Sequence, residues 1–197
     1  MILYGAPMPA PNPRRVRIFL AEKGINLPET TVDMRKREHK STDYRAKNSL
    51  GQIPTLELDD GATISETVAI CRYFEETNPE PPLFGRTALE KAHVDMWVRR
   101  VEFVLMTPVG NFWRHAHPYT AALLTQFKDF GESNREAYAS ALKWLRDYIA
   151  GHDYTIADIC ALSTVDFATW IGLEMNPEHA NLAAWHQRVT ARPSAQA

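Results

Sequence analysis

Three short stretches within the first 67 residues carry groups suited to holding a small anionic or peptide-like ligand. The first is Pro7-Met8-Pro9-Ala10-Pro11-Asn12-Pro13, a proline-spaced run leading into a helical pattern. A helix N-terminus offers unpaired backbone N–H groups and the positive end of its dipole, a setting suited to a thiolate or another anion. Taken alone, the run also reads as a proline-rich surface loop, with Asn12 as a helix cap. The second stretch is Gln52-Ile53-Pro54, where Pro54 is a candidate cis proline. A cis bond there leaves the Ile53 N–H and C=O free to pair with a peptide-like ligand as an added strand does. The third is Ser65-Glu66-Thr67 at the start of another helix. Its N–H groups and the Thr67 hydroxyl suit a ligand carboxylate, and Glu66 suits an amino group. Ordinary helix capping is the plainer reading of that triplet.

Other reactive side chains lead less far. His115 and His117 are two residues apart, so they leave a helix on different sides and do not pair on a metal. Cys71 and Cys160 each sit in an apolar pattern with no close partner, which excludes a disulfide framework and a CxxC motif. Arg99, Arg100 and Arg114 fit a solvated, ion-paired helix face better than an anion site. No GxGxxG, P-loop or HExxH pattern occurs.

The elements that must position these stretches follow from periodicity. Ile2 to Tyr4 predicts a strand, and Val16, Phe19, Leu20 and Lys23 share one face of a helix that Gly24 ends. Thr30 to Met34 predicts a polar strand. Ile53 to Leu58, the turn Asp59-Asp60-Gly61 and Ala62 to Ile64 predict a hairpin, and Glu66 to Thr77 a helix. The order is β-α-β-(loop or helix)-β-β-α. Prolines 79, 81 and 82 then suit no helix or central strand, so residues 79–86 are read as a linker between domains 1–78 and 87–197. Beyond it every pattern is helical: Thr87 to about His117 with a kink at Pro108, Glu132 to Asp147, a helix opened by the capping box Thr155-x-x-Asp158, and Leu182 to Val189.

Composition bounds the function. Twenty-two basic against 24 acidic side chains in 197 residues, with a net charge of -2, give no electrostatic handle for nucleic acid or an anionic membrane. Aromatic residues are too frequent, at 10%, for a disordered chain. No apolar run is long enough to cross a bilayer and the start lacks a signal-peptide pattern, so a cytoplasmic protein is expected.

Together, these segments resemble the soluble glutathione transferase family, and look most like its bacterial members. The matching pieces are LYGAP and PNPRRVRIFLAEKGI, then KNSLGQIPTLELDDGATISETVAICRYFEETNPEPPLFG, and later MWVRRVEF, YIAGHDYTIADI and NLAAWHQRVTARPSAQA. The resemblance implies an α+β thioredoxin-like N-terminal domain followed by an all-α domain with a hydrophobic co-substrate site, the glutathione transferase fold. It also implies a homodimer that takes glutathione as co-substrate and a hydrophobic electrophile as partner; the residues themselves give no reason to expect a metal. By the resemblance, Pro54 is the family's cis-proline, and Ile53 pairs with the cysteinyl backbone of glutathione. Glu66 and Thr67 hold its γ-glutamyl end, and His39 and Gln52 approach its glycine end. The Ser or Cys that many classes use for catalysis falls at Ala10, which has neither hydroxyl nor thiol. Tyr4 lies earlier on its strand than the tyrosine of other classes. Asn12 matches an Asn that the bacterial nu class uses near the thiol, and is the candidate catalytic residue. A glutathione-dependent reductase, peroxidase or isomerase, and a non-catalytic glutathione-binding module, are the alternatives on this fold. The stretch before Tyr148 is one to two helical turns shorter than the family's, with only Arg146 and Asp147 after Leu145.

Overall fold

The computed structural model describes residues 1–145, 149, 151, 153–176 and 179–197. The chain divides into two units, one of Met1–Phe84 with Pro193–Ala197, the other of Gly85–Arg192. In the first unit β1 (Ile2–Gly5) pairs in parallel with β2 (Glu29–Thr31), a pairing that requires the crossover helix α1 (Pro11–Glu22) between them. β3 (Thr55–Glu57) runs antiparallel to β1 and to β4 (Thr63–Ser65), so the sheet order is β2-β1-β3-β4. The hairpin turn closes at Gly61, whose φ of 84° suits a residue without Cβ, and Leu58 N–H donates to Ala62 O across it. Val16 and Phe19 of α1 and Ile70, Cys71 and Phe74 of α3 (Thr67–Thr77) are buried with Leu3 and Leu56 of the sheet. Each such apolar side chain, once fully buried, stabilises by about 1.5–3 kcal/mol.

This topology puts three chain segments at one end of the sheet. β1 ends there at Gly5, the antiparallel β3 begins there at Thr55, and β4 ends there at Ser65. The loop into α1, the Ile53–Pro54 bond and the Ser65–Thr67 triplet therefore share that end.

Three expectations change in this unit. The polar strand stops at Thr31 rather than Met34, because Asp33 Oδ1 accepts the N–H groups of Arg35 and Lys36 and turns the chain. Residues 79–84 are not a free linker: Leu83 and Phe84 are buried, and Glu75 accepts both of their N–H groups. Lys23 Nζ, fully buried, pairs with Glu75 at 2.6 Å and donates to the carbonyls of Asn78 and Pro81. The last residues, placed in the helical domain by the sequence reading, pack on α1 instead. Arg14 donates to Ala195 O at 3.1 Å, Ser194 donates to Glu22, and both Ser194 and Ala195 are buried.

The second unit contains α4 (Ala88–Arg100), α5 (Thr107–His115), α6 (Lys128–Leu145), α7 (Ile156–Trp170) and α8 (Ala180–Thr190). Between α4 and α5, Val101–Met106 is π-helical, with Thr107 N–H reaching back to Glu102 O. Pro108 lacks an N–H, and in an α-helix its ring would press on the carbonyl four residues earlier; a wider turn just before it relieves both demands. The local adjustment thus precedes the proline at which a kink was expected. α6 starts a turn earlier than Glu132, where Gly131 lets α6 approach α5; a Cβ there would meet His115 and Ala116 backbone atoms at 2.7 Å. Its expected end at Asp147 and the shortened stretch before Tyr148 lie outside the described residues. α7 is buried along most of its length. Its capping box forms as expected, and Asp158 Oδ1 also accepts Trp185 Nε1–H from α8 at 2.8 Å. Burial pushes the Asp158 carboxyl above the usual carboxylate range.

Candidate functional site

The N-terminus of α1 is built almost without backbone donors. Ala10 is its N-cap with no side-chain cap bond, Pro11 and Pro13 carry no N–H, and Ala10 N–H donates to Pro7 O at 3.3 Å. Among the described residues, Asn12 alone in that first turn keeps an N–H without a partner. Its side chain does not cap the helix, and its Oδ1 is buried with no hydrogen-bond partner among the described residues. The dipole end expected from the sequence is thus narrowed to one residue's amide groups.

Tyr4 is committed elsewhere. Its hydroxyl donates to Glu57 Oε2 at 2.7 Å, and Lys47 Nζ reaches the same oxygen at 2.7 Å while lying over the Tyr4 ring. The hydrogen bond to Glu57 pushes the phenol above its ordinary value, so it stays protonated.

The Ile53–Pro54 peptide is cis, Pro54 is buried, and the Ile53 N–H and C=O make no hydrogen bond among the described residues. What holds the turn is a polar network that the sequence reading missed. Gln52 O accepts from the Tyr44 hydroxyl at 2.8 Å and from Asn48 Nδ2 at 2.9 Å, and both side chains reach Thr55 Oγ1. Asn48 and Thr55 are buried, which a polar residue tolerates only when its groups are paired. The Gln52 side chain itself is exposed.

His39 lies on a single 3-10 turn, Glu38–Lys40, ahead of α2 (Thr42–Lys47). Lys40, also missed, donates to Leu50 O at 3.0 Å and Gly51 O at 2.6 Å. Gly51 has φ 57°, and a Cβ there would meet His39 O at 2.4 Å, so only glycine permits this approach. The His39 and Gln52 backbones are thereby brought together. Burial, and then the cations Lys40, Arg37 and Arg45, hold the imidazole below its usual pKa; its Nδ1 is buried without a partner among the described residues.

Glu66 links β4 to α3 with φ 68° and ψ 121°, a left-sided backbone state that costs a residue with Cβ about 1–3 kcal/mol. Its carboxylate is exposed and caps nothing. Thr67 is buried at the first position of α3, and its hydroxyl makes no hydrogen bond among the described residues. The plainer capping reading of this triplet is therefore not what the structure holds. β3–β4 pairing sets Thr55 opposite Ser65, next to the cis bond.

Among the described residues no group of three or more His, Cys, Asp or Glu is arranged to hold a metal. His115 faces the Phe127 and Phe130 rings, whereas His117 faces Trp113 and Trp170. Cys71 and Cys160 are buried and form no disulfide.

Comparison with known proteins reaches both units. The family description "Glutathione S-transferase, N-terminal domain" matches residues 10–77, and "Glutathione S-transferase, C-terminal domain" matches residues 126–193. The chain belongs to the glutathione S-transferase family. Glutathione S-transferase 2 of Saccharomyces cerevisiae is 36% identical over 204 aligned positions, covering 98% of this chain and 87% of that one. The crystal structure of Gtt2 from Saccharomyces cerevisiae superposes with a TM-score of 0.92 at 34% identity, over 100% of this chain and 99% of that one. A glutathione S-transferase domain-containing protein of Marinobacter aquaeolei gives 0.91 at 36% identity, over 98% and 99% of the two chains. Glutathione S-transferase membership fixes the architecture expected from the resemblance, a thioredoxin-like unit followed by an all-helical one, and makes the chain a glutathione-using transferase.

Proposed function

We propose that this chain conjugates the glutathione thiolate to hydrophobic electrophiles bound on its helical unit, Gly85–Arg192. In this reading Ile53 pairs through its backbone with the cysteinyl residue of glutathione beside Pro54. Glu66 takes the γ-glutamyl amino group, and the Thr67 hydroxyl takes the carboxylate. His39 and Gln52 attend the glycine end, and Asn12 donates to the sulfur. The carrying observation is the unspent N–H of Asn12, in a turn whose other positions are prolines. Lowering a thiol pKa from about 8.5 by about 2 units takes roughly 2.7 kcal/mol, and one charge-assisted hydrogen bond supplies about 1.5–3 kcal/mol. A hydroxyl at position 10 is then not required.

Turnover of 1-chloro-2,4-dinitrobenzene with glutathione, measured beside glutathione calorimetry, tests the reading. Conjugation together with saturable glutathione binding is the expected result. Ala10 at the N-cap favours a second reading, a glutathione-binding module without catalysis. Retention on glutathione resin with neither conjugation nor peroxide turnover would establish that one. Homodimerisation is supported by Leu89, Met96 and Phe103, seven residues apart on the α4 and π-helical stretch and 66%, 37% and 68% exposed. Sedimentation of wild type and Phe103→Asp checks it, with the dimer expected to weaken in the variant. Two buried cysteines in no disulfide fit a cytoplasmic location.

A further inference from the structure

The loop ahead of Pro54 spends three successive carbonyls on side chains. Lys40 Nζ donates to Leu50 O and Gly51 O, and the Tyr44 hydroxyl and Asn48 Nδ2 both donate to Gln52 O. The protons around Gln52 O can be assigned one by one. Asn48 Oδ1 accepts the Leu50 N–H at 3.1 Å, which turns the amide so that Nδ2 donates to Gln52 O at 2.9 Å and to Thr55 Oγ1 at 3.2 Å. The Thr55 proton then goes to the Tyr44 hydroxyl oxygen at 3.0 Å rather than to Gln52 O at 3.5 Å. Tyr44 in turn donates to Gln52 O at 2.8 Å. The donors form a closed ring through Asn48, Thr55 and Tyr44 that fills both lone pairs of one carbonyl. Burial pushes the Tyr44 phenol above its ordinary value, so its proton stays in place at neutral pH. Tyr44, Asn48 and Thr55 are 6%, 5% and 0% exposed, so bulk water does not stand in for a lost member. Pairing a buried carbonyl takes one donor; here two converge.

We infer that the Tyr44 hydroxyl is a positioning group for the thiol peptide: as the second donor on Gln52 O it fixes and polarises the Gln52–Ile53 peptide, making the Ile53 N–H an aimed, strengthened donor. That peptide is trans, so its N–H points opposite to its C=O. Holding the oxygen from the Tyr44 and Asn48 side therefore aims the Ile53 N–H away from them, where it has no partner among the described residues. Hydrogen bonds accepted by a carbonyl draw charge toward its oxygen and strengthen the N–H of the same peptide, most of all in a buried chain of donors. A donor held in place before the ligand arrives also lowers the ordering cost of binding. Tyr44 acts through Gln52 and not by contact with the ligand. The inference deepens the proposed site and rests on that reading for the pairing of Ile53 with the cysteinyl backbone of glutathione.

The test combines glutathione calorimetry with 15N-labelled NMR on wild type, Tyr44→Phe, Tyr44→4-aminophenylalanine and Phe74→Leu. Tyr44→Phe keeps the Asn48 bond to Gln52 O and is expected to fold, but to bind glutathione about 3- to 10-fold more weakly. Its Ile53 15N resonance moves upfield in the free protein, and the downfield step of the Ile53 amide proton on saturation with glutathione shrinks. The 4-aminophenylalanine variant keeps an N–H at that place and restores part of both. Phe74→Leu opens a cavity in the core of the same unit; it lowers Tm and leaves the affinity and the Ile53 resonance as in wild type. Wild-type glutathione affinity in Tyr44→Phe overturns the inference whatever its Tm, and so does an unmoved Ile53 resonance. Equal weakening by Phe74→Leu also overturns it, because general loosening of the unit then explains the loss. A wild type that binds no glutathione counts against the proposed function, and the Ile53 15N resonance of the free proteins then decides this inference by itself.

Discussion

Glu66 offers a perturbation in which stability and binding move in opposite directions. Its φ of 68° places a residue with a Cβ in a backbone state that costs about 1–3 kcal/mol. Glycine removes that steric cost but adds about 0.5–1 kcal/mol of chain entropy to be lost on folding. Glu66→Gly is therefore expected to stabilise the fold by up to about 2 kcal/mol, which at roughly 2–4 °C per kcal/mol raises Tm by a few degrees. Glu66→Ala keeps the Cβ and its strain, and since the carboxylate is exposed and caps nothing, its Tm should stay near wild type. Both variants lose the carboxylate proposed to hold the glutathione amino group. A charge-assisted hydrogen bond of about 1.5–3 kcal/mol corresponds to a Kd about 10- to 150-fold weaker. Scanning calorimetry and glutathione titration on the three proteins give the comparison. A Glu66→Gly protein that melts no higher than Glu66→Ala would refute the strain argument. Unchanged glutathione affinity in both would refute the site assignment, because strain at an exposed residue would then serve no ligand.

Three further outcomes follow from the same geometry. Asn12→Ala, which keeps the backbone N–H but deletes the side-chain amide, should raise the pKa of bound glutathione and lower kcat/KM at pH 6.5 about 10-fold with little change in Kd; a pH–rate profile identical to wild type would show that this amide does not touch the sulfur. Asp158→Ala strands the Thr155 N–H, the Thr155 hydroxyl and Trp185 Nε1–H, all on buried residues; with each orphaned donor costing about 1–3 kcal/mol, a loss of about 3 kcal/mol or more is expected in denaturant unfolding. A loss below about 1 kcal/mol would contradict that network. For His39 the folded pKa lies below the unfolded value of about 6.5, so the folded state binds fewer protons between the two, and stability rises with pH across that window. His39→Gln should flatten the acidic side of the stability–pH curve, and a slope equal to wild type would rule the imidazole out as its source.

Much of the architecture was legible because local chemistry decided it. Asp59-Asp60-Gly61 turns a hairpin wherever it lies between two apolar runs, and Thr155 with Asp158 caps a helix from within four residues. The candidate site was legible in part for the same reason. Pro11 and Pro13 strip donors from the helix start by their covalent structure, and a triplet such as Ser65-Glu66-Thr67 marks a strand-to-helix junction.

The remainder depended on which distant groups meet. Lys40, Tyr44, Asn48 and Thr55 follow no period, and their role appears only when folding brings four polar groups around Gln52 and Gly51. Tyr4 is removed from thiol chemistry by Glu57 and Lys47, 53 and 43 residues away, which no pattern near Tyr4 announces. Residues 79–84 read as a linker because prolines exclude helix and strand, yet buried Lys23 and Glu75 hold that segment to the first unit. Pro193–Ala197 likewise joins α1, about 180 residues earlier in the chain, through Arg14 and Glu22. By itself the sequence determined most of the elements, the Thr155–Asp158 capping box and the residue types at the sheet end, since these rest on backbone sterics and short-range hydrogen bonds. The tertiary structure alone decided which donors and acceptors remain unspent there, because pairing a buried polar group is settled by whatever the whole fold packs against it.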